Sequence, residues 1–360
     1  MKATLILENG AIFQGESIGA VGERMCEMVF NTSMAGYQEV FTDPAYAGQG
    51  VVMSYPLIGN VGVNHEDNES RRPWVEAVVV RHMSPRGSNF RCEGTLDDYL
   101  KQHDIVGISG VDTRALTRIL RSQGAMNGMI TCAEHFHAGE IAQKLAGYRI
   151  TGKVAEVTRK EKETFLPEGE VRCHVAVLDF GVTASVLNSL LRRGCKVTVV
   201  PADTTASAVL EGGYDGALLS PGPGDPTENE AAIAEVKKLY ESSIPLFAIG
   251  LGHQLLAIAA GAKTSRLDYG HRGGNVPVRD LEKGKVFITA QNHGYVVKGD
   301  SLEPAVAKVS HLNVNDGSVE GLCYKRPHCI GLQFHPEANA GPRETEYLFD
   351  RFINWMGGDR

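Results

Sequence analysis

The sequence of 360 residues lacks a paired cysteine motif, a block of like charge and a long apolar run near its start. Its seven cysteines are an odd number, widely spaced and without a CxxC pair, which argues against a disulfide framework and against a zinc site. The formal net charge is only -7 and no Lys/Arg-rich run is present, so we expect no nucleic-acid surface. Because residues 1–10 already include a charge and a turn, we expect no signal peptide, no membrane span and a cytoplasmic location.

The composition, 42% hydrophobic and 22% charged, is that of a globular chain long enough for two domains. Short apolar runs alternating with turn clusters predict a strand-rich α+β domain over residues 1–151. Within it, apolar spacing and a capping Asp112 or Thr113 predict a helix from Asp112 to Ser122, ended by Gly124. Residues 152–172 are polar and lack an apolar period, which predicts a linker.

From residue 173 to 360 the pattern becomes apolar strand, turn, helix and strand again, which predicts an α/β domain with a doubly wound, mostly parallel sheet. Strands are expected at 175–178, 197–200, 217–219 and 246–249. Ligands of such sheets bind at the carboxyl ends of the strands, where three turns are expected: Phe180-Gly181, Ser220 to Pro226, and Gly250-Leu251-Gly252. The Gly222-Pro223-Gly224 turn could bring backbone amides to a ligand, or be only a tight connector.

The segment from Phe247 to Leu255 has the pattern of a buried strand, a sharp turn and a helix start, the arrangement that presents a nucleophile above a sheet. Gly250 occupies the apex, where glycine tolerates positive φ but offers no reactive atom. Downstream, His335-Pro336-Glu337 supplies a base and an orienting carboxylate, as a Cys-His-Glu triad would need. Asn292-His293-Gly294-Tyr295 should lie at a strand end, although His293 fits a structural role equally well.

Together these segments resemble the small subunits of carbamoyl phosphate synthetases, whose C-terminal domain belongs to the class I glutamine amidotransferases. In the N-terminal half the resemblance rests on five segments that other amidotransferases lack. These are Phe30-Asn31-Thr32-Ser33-Met34-Ala35-Gly36-Tyr37-Gln38-Glu39, Tyr55-Pro56-Leu57-Ile58-Gly59-Asn60-Val61-Gly62, Ser88-Asn89-Phe90-Arg91, Val111-Asp112-Thr113-Arg114 and Asn127-Gly128. An amidotransferase of another pathway is the alternative, and it leaves the N-terminal domain unexplained.

The resemblance implies a pocket for L-glutamine, a triad completed by His335 and Glu337, and a large-subunit partner. A cysteine at position 250 would attack the glutamine amide, ammonia would leave, and a glutamyl thioester would be hydrolysed, with amides near Gly222 and Leu251 stabilising the oxyanion. The large subunit would use the ammonia, bicarbonate, ATP and magnesium to make carbamoyl phosphate for arginine or pyrimidine synthesis. No metal or cofactor is expected in this chain. The pocket would comprise Gly222, Gly224, Leu251, Gln254, Asn292, Gly294 and Tyr295.

Three departures from the family pattern affect the pocket. Gly250 replaces the nucleophile, Ala45 stands where the family usually has a serine that holds glutamine, and Val182-Thr183-Ala184-Ser185 replaces basic and amide residues. Their number favours natural drift over an engineered knockout. Cys323 and Cys329 are nearest in sequence to His335, but both are expected at apolar strand positions. Two hypotheses remain: an active glutaminase subunit, or a noncatalytic docking subunit of an ammonia-dependent synthetase.

Overall fold

A computed structural model describes residues 1–338 and 341–357. The chain divides into two compact units: Met1–Ile150 with Asp268–Arg272, and Thr151–Leu267 with Gly273–Arg360. No helix among the described residues is both long and apolar enough to cross a bilayer. The segment expected to be a linker belongs to the second unit and carries a helix and a strand, described below.

The first unit is a closed barrel with helices packed against its strands. The strand order is β1-β2-β8-β6-β4-β3-β9, in which β3, β4, β6 and β8 pair in parallel and the other neighbours pair antiparallel. The strands are β1 (Lys2–Leu7), β2 (Ile12–Gly19), β3 (Glu23–Asn31), β4 (Gln49–Met53), β6 (Ala77–Val80), β8 (Val106–Ser109) and β9 (Met126–Thr131), with a separate pair β5 (Leu57–Ile58) and β7 (His82–Met83). The helices are α1 (Tyr37–Thr42), α2 (Leu96–Gln102), α3 (Thr113–Gln123) and α4 (Ala138–Gly147), and a 3₁₀ turn spans Pro44–Tyr46.

Helix α3 confirms the helix expected from Asp112 onward. The Asp112 carboxylate accepts a hydrogen bond from the Ala115 amide at 3.0 Å, which satisfies a donor of the first turn. Leu116 and Leu120 are fully buried against the barrel strands. Gly124 ends the helix with φ at 93°, a conformation that costs glycine little.

The second unit is built on a sheet of ten strands in the described residues, whose centre is parallel and confirms the expected doubly wound pattern. Its order is β10-β12-β11-β13-β14-β19-β18-β17-β15-β16. Neighbouring strands pair in parallel from β12 through β11, β13 and β14 to β19. Strand β10 pairs antiparallel with β12, and β19, β18, β17 and β15 pair antiparallel with one another in that order. The strands are β10 (Glu163–Phe165), β11 (Cys173–Asp179), β12 (Cys195–Pro201), β13 (Gly216–Leu219), β14 (Leu246–Ile249), β15 (Thr264–Asp280), β16 (Lys285–Val297), β17 (Ala307–Asn313), β18 (Val319–Tyr324) and β19 (Cys329–Leu332).

Helices cover both faces of this sheet. On one face α6 (Ala184–Leu191) and α10 (Tyr347–Trp355) close one apolar core, and on the other α7 (Ala206–Leu210), α8 (Glu230–Glu241) and α9 (Leu251–Ala259) close a second. Two 3₁₀ turns span Pro226–Glu228 and Gly299–Ser301. The parallel strands at the centre are therefore apolar on both sides, as their sequence pattern indicates.

The residues expected to form a linker carry α5 (Lys153–Val157) and β10. Strand β10 pairs antiparallel with β12 at the edge of the sheet. An edge strand needs only one hydrogen-bonded neighbour and can keep polar side chains in solvent. This is why the segment has no sustained apolar period and yet forms part of a folded unit.

Candidate active site

Gly250 forms a sharp turn between β14 and α9, with φ at 56° and ψ at -117°. Its amide donates to the carbonyl of Leu332 at 2.8 Å, which fixes the turn to the neighbouring parallel strand β19. A β-carbon placed on Gly250 would lie 3.3 Å from Cβ of Pro221 and 3.4 Å from its Cα. The backbone thus keeps the strained form of a turn that presents a side chain, while the residue at its apex has none.

The turn after β13 lies directly against this elbow. A β-carbon on Gly222 would fall 2.2 Å from the carbonyl oxygen of Phe180 and 2.9 Å from Cδ2 of Leu251, so only glycine fits there. The Ser220 hydroxyl lies 2.8 Å from the Phe180 amide, which donates to it, and the Ser220 carbonyl accepts from Gly252 at 3.0 Å. These contacts bring the three predicted turns together at the carboxyl ends of β11, β13 and β14.

Helix α9 directs its N-terminus toward this group of turns. The first amides of a helix have no partner within the helix and carry a partial positive charge. Because the Gly252 amide is held by Ser220, the preceding amide of Leu251 is the one placed to meet a negatively charged oxygen at the elbow. This position suits the oxyanion that would form on a substrate carbonyl attacked by a side chain at position 250.

His335 and Glu337 form the second part of the site. Nδ1 of His335 lies 2.8 Å from Oε1 of Glu337, and both side chains are more than nine-tenths buried. The His335 amide donates to the carbonyl of Ala290 at 2.9 Å. A carboxylate on Nδ1 favours the tautomer with its proton there and leaves Nε2 as the ring nitrogen that can accept a proton.

The two parts of the site follow neighbouring strands. In the parallel pair of β14 and β19, Ile249 is paired with Leu332, so the elbow and the segment leading to His335 leave the sheet at the same edge. The expected base and the expected nucleophile position therefore lie at the carboxyl ends of adjacent strands, where open α/β sheets bind their ligands.

Gln254 connects helix α9 to strand β16, which carries Asn292, Gly294 and Tyr295. Its Nε2 donates to the Tyr295 carbonyl at 2.8 Å and to Oε1 of Gln333 at 3.0 Å. Since these two bonds use both protons of the Gln254 side-chain amide, Oε1 of Gln254 is the atom that could accept a hydrogen bond from a ligand. Gln333 was not among the predicted site residues, although its position two residues before His335 was a signal that could have singled it out.

His293 lies in the same strand and makes two hydrogen-bonded contacts. Nδ1 is 2.9 Å from the Tyr295 carbonyl and Nε2 is 2.8 Å from Oε1 of Gln291. The side chain is 7% exposed. These contacts agree with the structural role that the sequence left open for this histidine.

Comparison with known proteins covers both units. Residues 5–130 match the family described as "Carbamoyl-phosphate synthase small chain, CPSase domain", and residues 176–355 match "Glutamine amidotransferase class-I". The chain is 45% identical over 355 residues to the carbamoyl phosphate synthase small chain of Clostridium perfringens, covering 99% of each chain. The chain belongs to the carbamoyl phosphate synthase small chain family.

A further relative spans nearly the whole chain, whereas a similar solved structure spans about half of it. The carbamoyl phosphate synthase small chain of Photorhabdus laumondii is 46% identical, with 98% of this chain and 95% of that one covered. A crystal structure of a glutamine amidotransferase from Thermotoga maritima has a TM-score of 0.38 at 18% identity, covering 53% of this chain and 86% of that one. The whole-chain relatives confirm the resemblance inferred from sequence, and the match over 5–130 argues against an amidotransferase of another pathway.

Two of the segments where the sequence predicts departures from the family pattern are well packed. In the first unit, Ala45 is 9% exposed and its amide donates to the carboxylate of Asp43 at 2.9 Å. In the second unit, the Asp179 carboxylate accepts from the amides of Gly181 and Val182 at 3.0 and 2.9 Å. Thr183, which follows, is 4% exposed. Both segments are therefore held by hydrogen bonds between side chains and backbone amides.

Neither of the cysteines nearest His335 in sequence lies at the elbow formed by Gly250. Cys329 opens β19 and is paired with Leu246, the first residue of β14, so it lies about 13 Å along the strands from the elbow. Burial raises the pKa of its thiol to about 12. Cys323 is paired with Ile330 near the same end of β19, and its sulfur lies 4.0 Å from Arg351 of helix α10.

Proposed function

We propose that this chain is the small subunit of a carbamoyl phosphate synthetase, and that it docks on the large subunit without hydrolysing glutamine. The observation that carries this proposal is the elbow at Gly250, which keeps the backbone of a nucleophile turn and has no side chain. A covalent thioester needs an attacking sulfur at this apex, and Cys323 and Cys329 lie elsewhere in the sheet.

The remaining residues of the site can still hold L-glutamine. Gly222, Gly224 and the start of α9 offer backbone amides to a carboxylate or carbonyl oxygen, and Gln254 offers an acceptor to an ammonium group. We propose that Asn292, Gly294 and Tyr295 of β16 complete this pocket. On this proposal glutamine binds intact and serves as a ligand of the small chain.

The large subunit would then take free ammonia as its nitrogen source. It would make carbamoyl phosphate from bicarbonate and ATP, with magnesium, in the cytoplasm and for arginine or pyrimidine synthesis. We assign the nucleotide and the metal to that partner, and propose no cofactor for this chain.

The first test is carbamoyl phosphate formation by this chain with its cognate large subunit, under saturating ATP and bicarbonate. We expect turnover with ammonium chloride and a rate with glutamine lower by about 10⁴-fold or more, the usual cost of losing a triad nucleophile. Comparable rates with the two nitrogen donors would contradict the proposal. They would favour the second candidate, an active glutaminase in which His335 acts as a base on a water molecule that attacks glutamine. The observation that favours this candidate is the hydrogen-bonded His335–Glu337 pair.

Restoring the nucleophile gives a complementary test. If only the attacking atom has been lost, Gly250→Cys should give glutamine-dependent turnover and a glutamyl thioester detectable by mass spectrometry. The matched control is Gly250→Cys combined with His335→Asn, which keeps the thiol and removes the base. Thioester formation in the single variant and its absence in the double variant would support the assigned roles. No gain in the single variant would mean that other residues of the pocket have changed as well.

A further inference from the structure

Two cysteines that have no place in the glutamine chemistry lie side by side in the second unit. Cys173 is the first residue of β11 and Cys195 the first of β12, and the parallel register pairs them directly. Their sulfur atoms are 3.4 Å apart, close enough for one thiol to donate a hydrogen bond to the other. Both side chains contribute to the same apolar cluster, so they lie on the same face of the sheet.

From this arrangement we infer that Cys173 and Cys195 form a redox modification site, at which hydrogen peroxide converts the two thiols into an intrachain disulfide. This inference concerns a different part of the sheet from the glutamine pocket and does not depend on the proposed function. The pair lies at the amino ends of the strands, whereas the elbow lies at their carboxyl ends.

The backbone geometry suits a disulfide. Neighbouring strands lie about 4.8 Å apart. Disulfides join residues whose Cα atoms are about 4.4–6.8 Å apart. To bond at about 2.05 Å the two sulfurs must approach by a little over 1 Å, which a small side-chain rotation can supply.

The local environment favours reaction at Cys173. The hydrogen-bonded contact between the two sulfurs lowers the pKa of Cys173, and the same contact together with burial raises the pKa of Cys195. Cys173 is 3% exposed, but the residues before it, Val171 and Arg172, are exposed. The pair therefore lies just beneath the surface, where a local opening of the strand end admits a molecule as small as peroxide.

The chemistry balances with peroxide as the oxidant. The Cys173 thiolate attacks one peroxide oxygen, an S–O bond forms, the O–O bond breaks and hydroxide leaves, giving a sulfenic acid. The Cys195 sulfur then attacks Cys173, the S–S bond forms and the S–O bond breaks. The proton of Cys195 leaves with the departing oxygen as water, and the hydroxide of the first step takes up the proton that Cys173 lost on ionising. Two thiols thus lose two electrons and one peroxide becomes two waters.

Three of the other five cysteines provide internal controls, since each has a different partner. Cys26 lies 3.6 Å from the sulfur of Met28, Cys92 contacts the carbonyl of Gly94, and Cys132 contacts the hydroxyl of Ser17. A thiol in any of these positions can be oxidised only to a sulfenic or higher acid unless the fold opens. A disulfide formed in the native chain should therefore be confined to Cys173 and Cys195.

The test is peroxide treatment of the native, full-length chain, followed by thiol counting and peptide mapping by mass spectrometry. We expect the thiol count to fall from the seven of the sequence by two, with one cross-link between Cys173 and Cys195 that dithiothreitol reverses. Cys173→Ala and Cys195→Ala should each abolish the cross-link, because either change removes one of the two sulfurs that it joins. The matched control Cys329→Ala, at the start of another strand of the same sheet, should form the cross-link like the parent.

Two results would overturn the inference. One is oxidation of the native chain that gives sulfinic or sulfonic acids, or other pairings, without the Cys173–Cys195 cross-link. The other is a cross-link that forms only in urea, since it would then belong to the unfolded chain. Because the decisive measurement uses the unmodified sequence, a poorly folding variant does not affect it; circular dichroism of the parent before and after treatment confirms that the fold persists.

Discussion

Replacing Gly250 with alanine tests whether the elbow keeps its strained backbone. Alanine adds a single carbon without reactive chemistry, so its effect reports only on conformation and packing. With φ at 56° and ψ at -117°, the backbone of the new alanine would lie in a region of φ/ψ space that L-residues rarely adopt. Its β-carbon would also lie 3.3 Å from Cβ of Pro221, closer than an ordinary van der Waals contact.

The expected cost follows from these two observations. Backbone strain of this kind costs about 1–3 kcal/mol. The loss of chain entropy in the unfolded state offsets about 0.4–1 kcal/mol of it. These two terms leave roughly 0–2.6 kcal/mol, and the close contact with Pro221 raises the lower end. We therefore expect a net destabilisation of about 1–2 kcal/mol, which lowers the melting temperature of a unit of this size by roughly 2–8 °C.

Calorimetry of the parent and of Gly250→Ala measures this difference. The control is Gly139→Ala in helix α4, where an added β-carbon meets no atom within 4 Å and φ is not positive. That change should be neutral or slightly stabilising, because alanine favours a helix over glycine by about 0.5–1 kcal/mol. A Gly250→Ala chain within about 0.5 kcal/mol of the parent, the usual range of a neutral substitution, would refute the strained elbow.

Two further predictions concern helix α9. His253 is fully buried, and burial lowers its pKa from 6.5 to about 3. Between these pH values the folded state binds fewer protons than the unfolded state. The stability that the neutral His253 contributes is therefore complete above pH 6.5 and falls as the pH drops toward 3. His253→Leu should flatten this part of the stability profile, and urea midpoints that keep the parent's slope would show that other groups cause it. Gly252→Ala would place a β-carbon 2.3 Å from the Leu219 carbonyl oxygen. We expect urea denaturation to show a free energy of unfolding lower by about 1–3 kcal/mol. A urea midpoint equal to that of the parent would contradict this expectation.

Elements with a local signal were predictable from sequence. The capped helix after Asp112, the buried strands at the centre of the second sheet and the elbow at Gly250 each depend on residues within a few positions of one another. Capping and apolar periodicity act over that range, so the pattern alone predicts the element. The His335–Glu337 pair belongs to this group, since the two residues are only two positions apart.

Features that depend on distant partners were not predictable. The antiparallel half of the sheet, the closure of the barrel and the pairing of β10 with β12 arise from hydrogen bonds between segments far apart in the chain. The contact of Gln333 with Gln254 spans 79 positions. Strand register decides such contacts, and no short stretch of sequence encodes it by itself.

The amino-acid sequence by itself determined that position 250 carries no nucleophile, because a side chain absent from the sequence cannot be supplied by any fold. It also determined the family, through segments spread over the whole chain. Only the tertiary structure decided that the glycine still adopts the backbone of a presenting turn, and that Gly222 packs against Phe180 where no β-carbon fits. It alone brought Cys173 and Cys195 within 3.4 Å, because strand pairing sets the distances between residues that are remote in sequence.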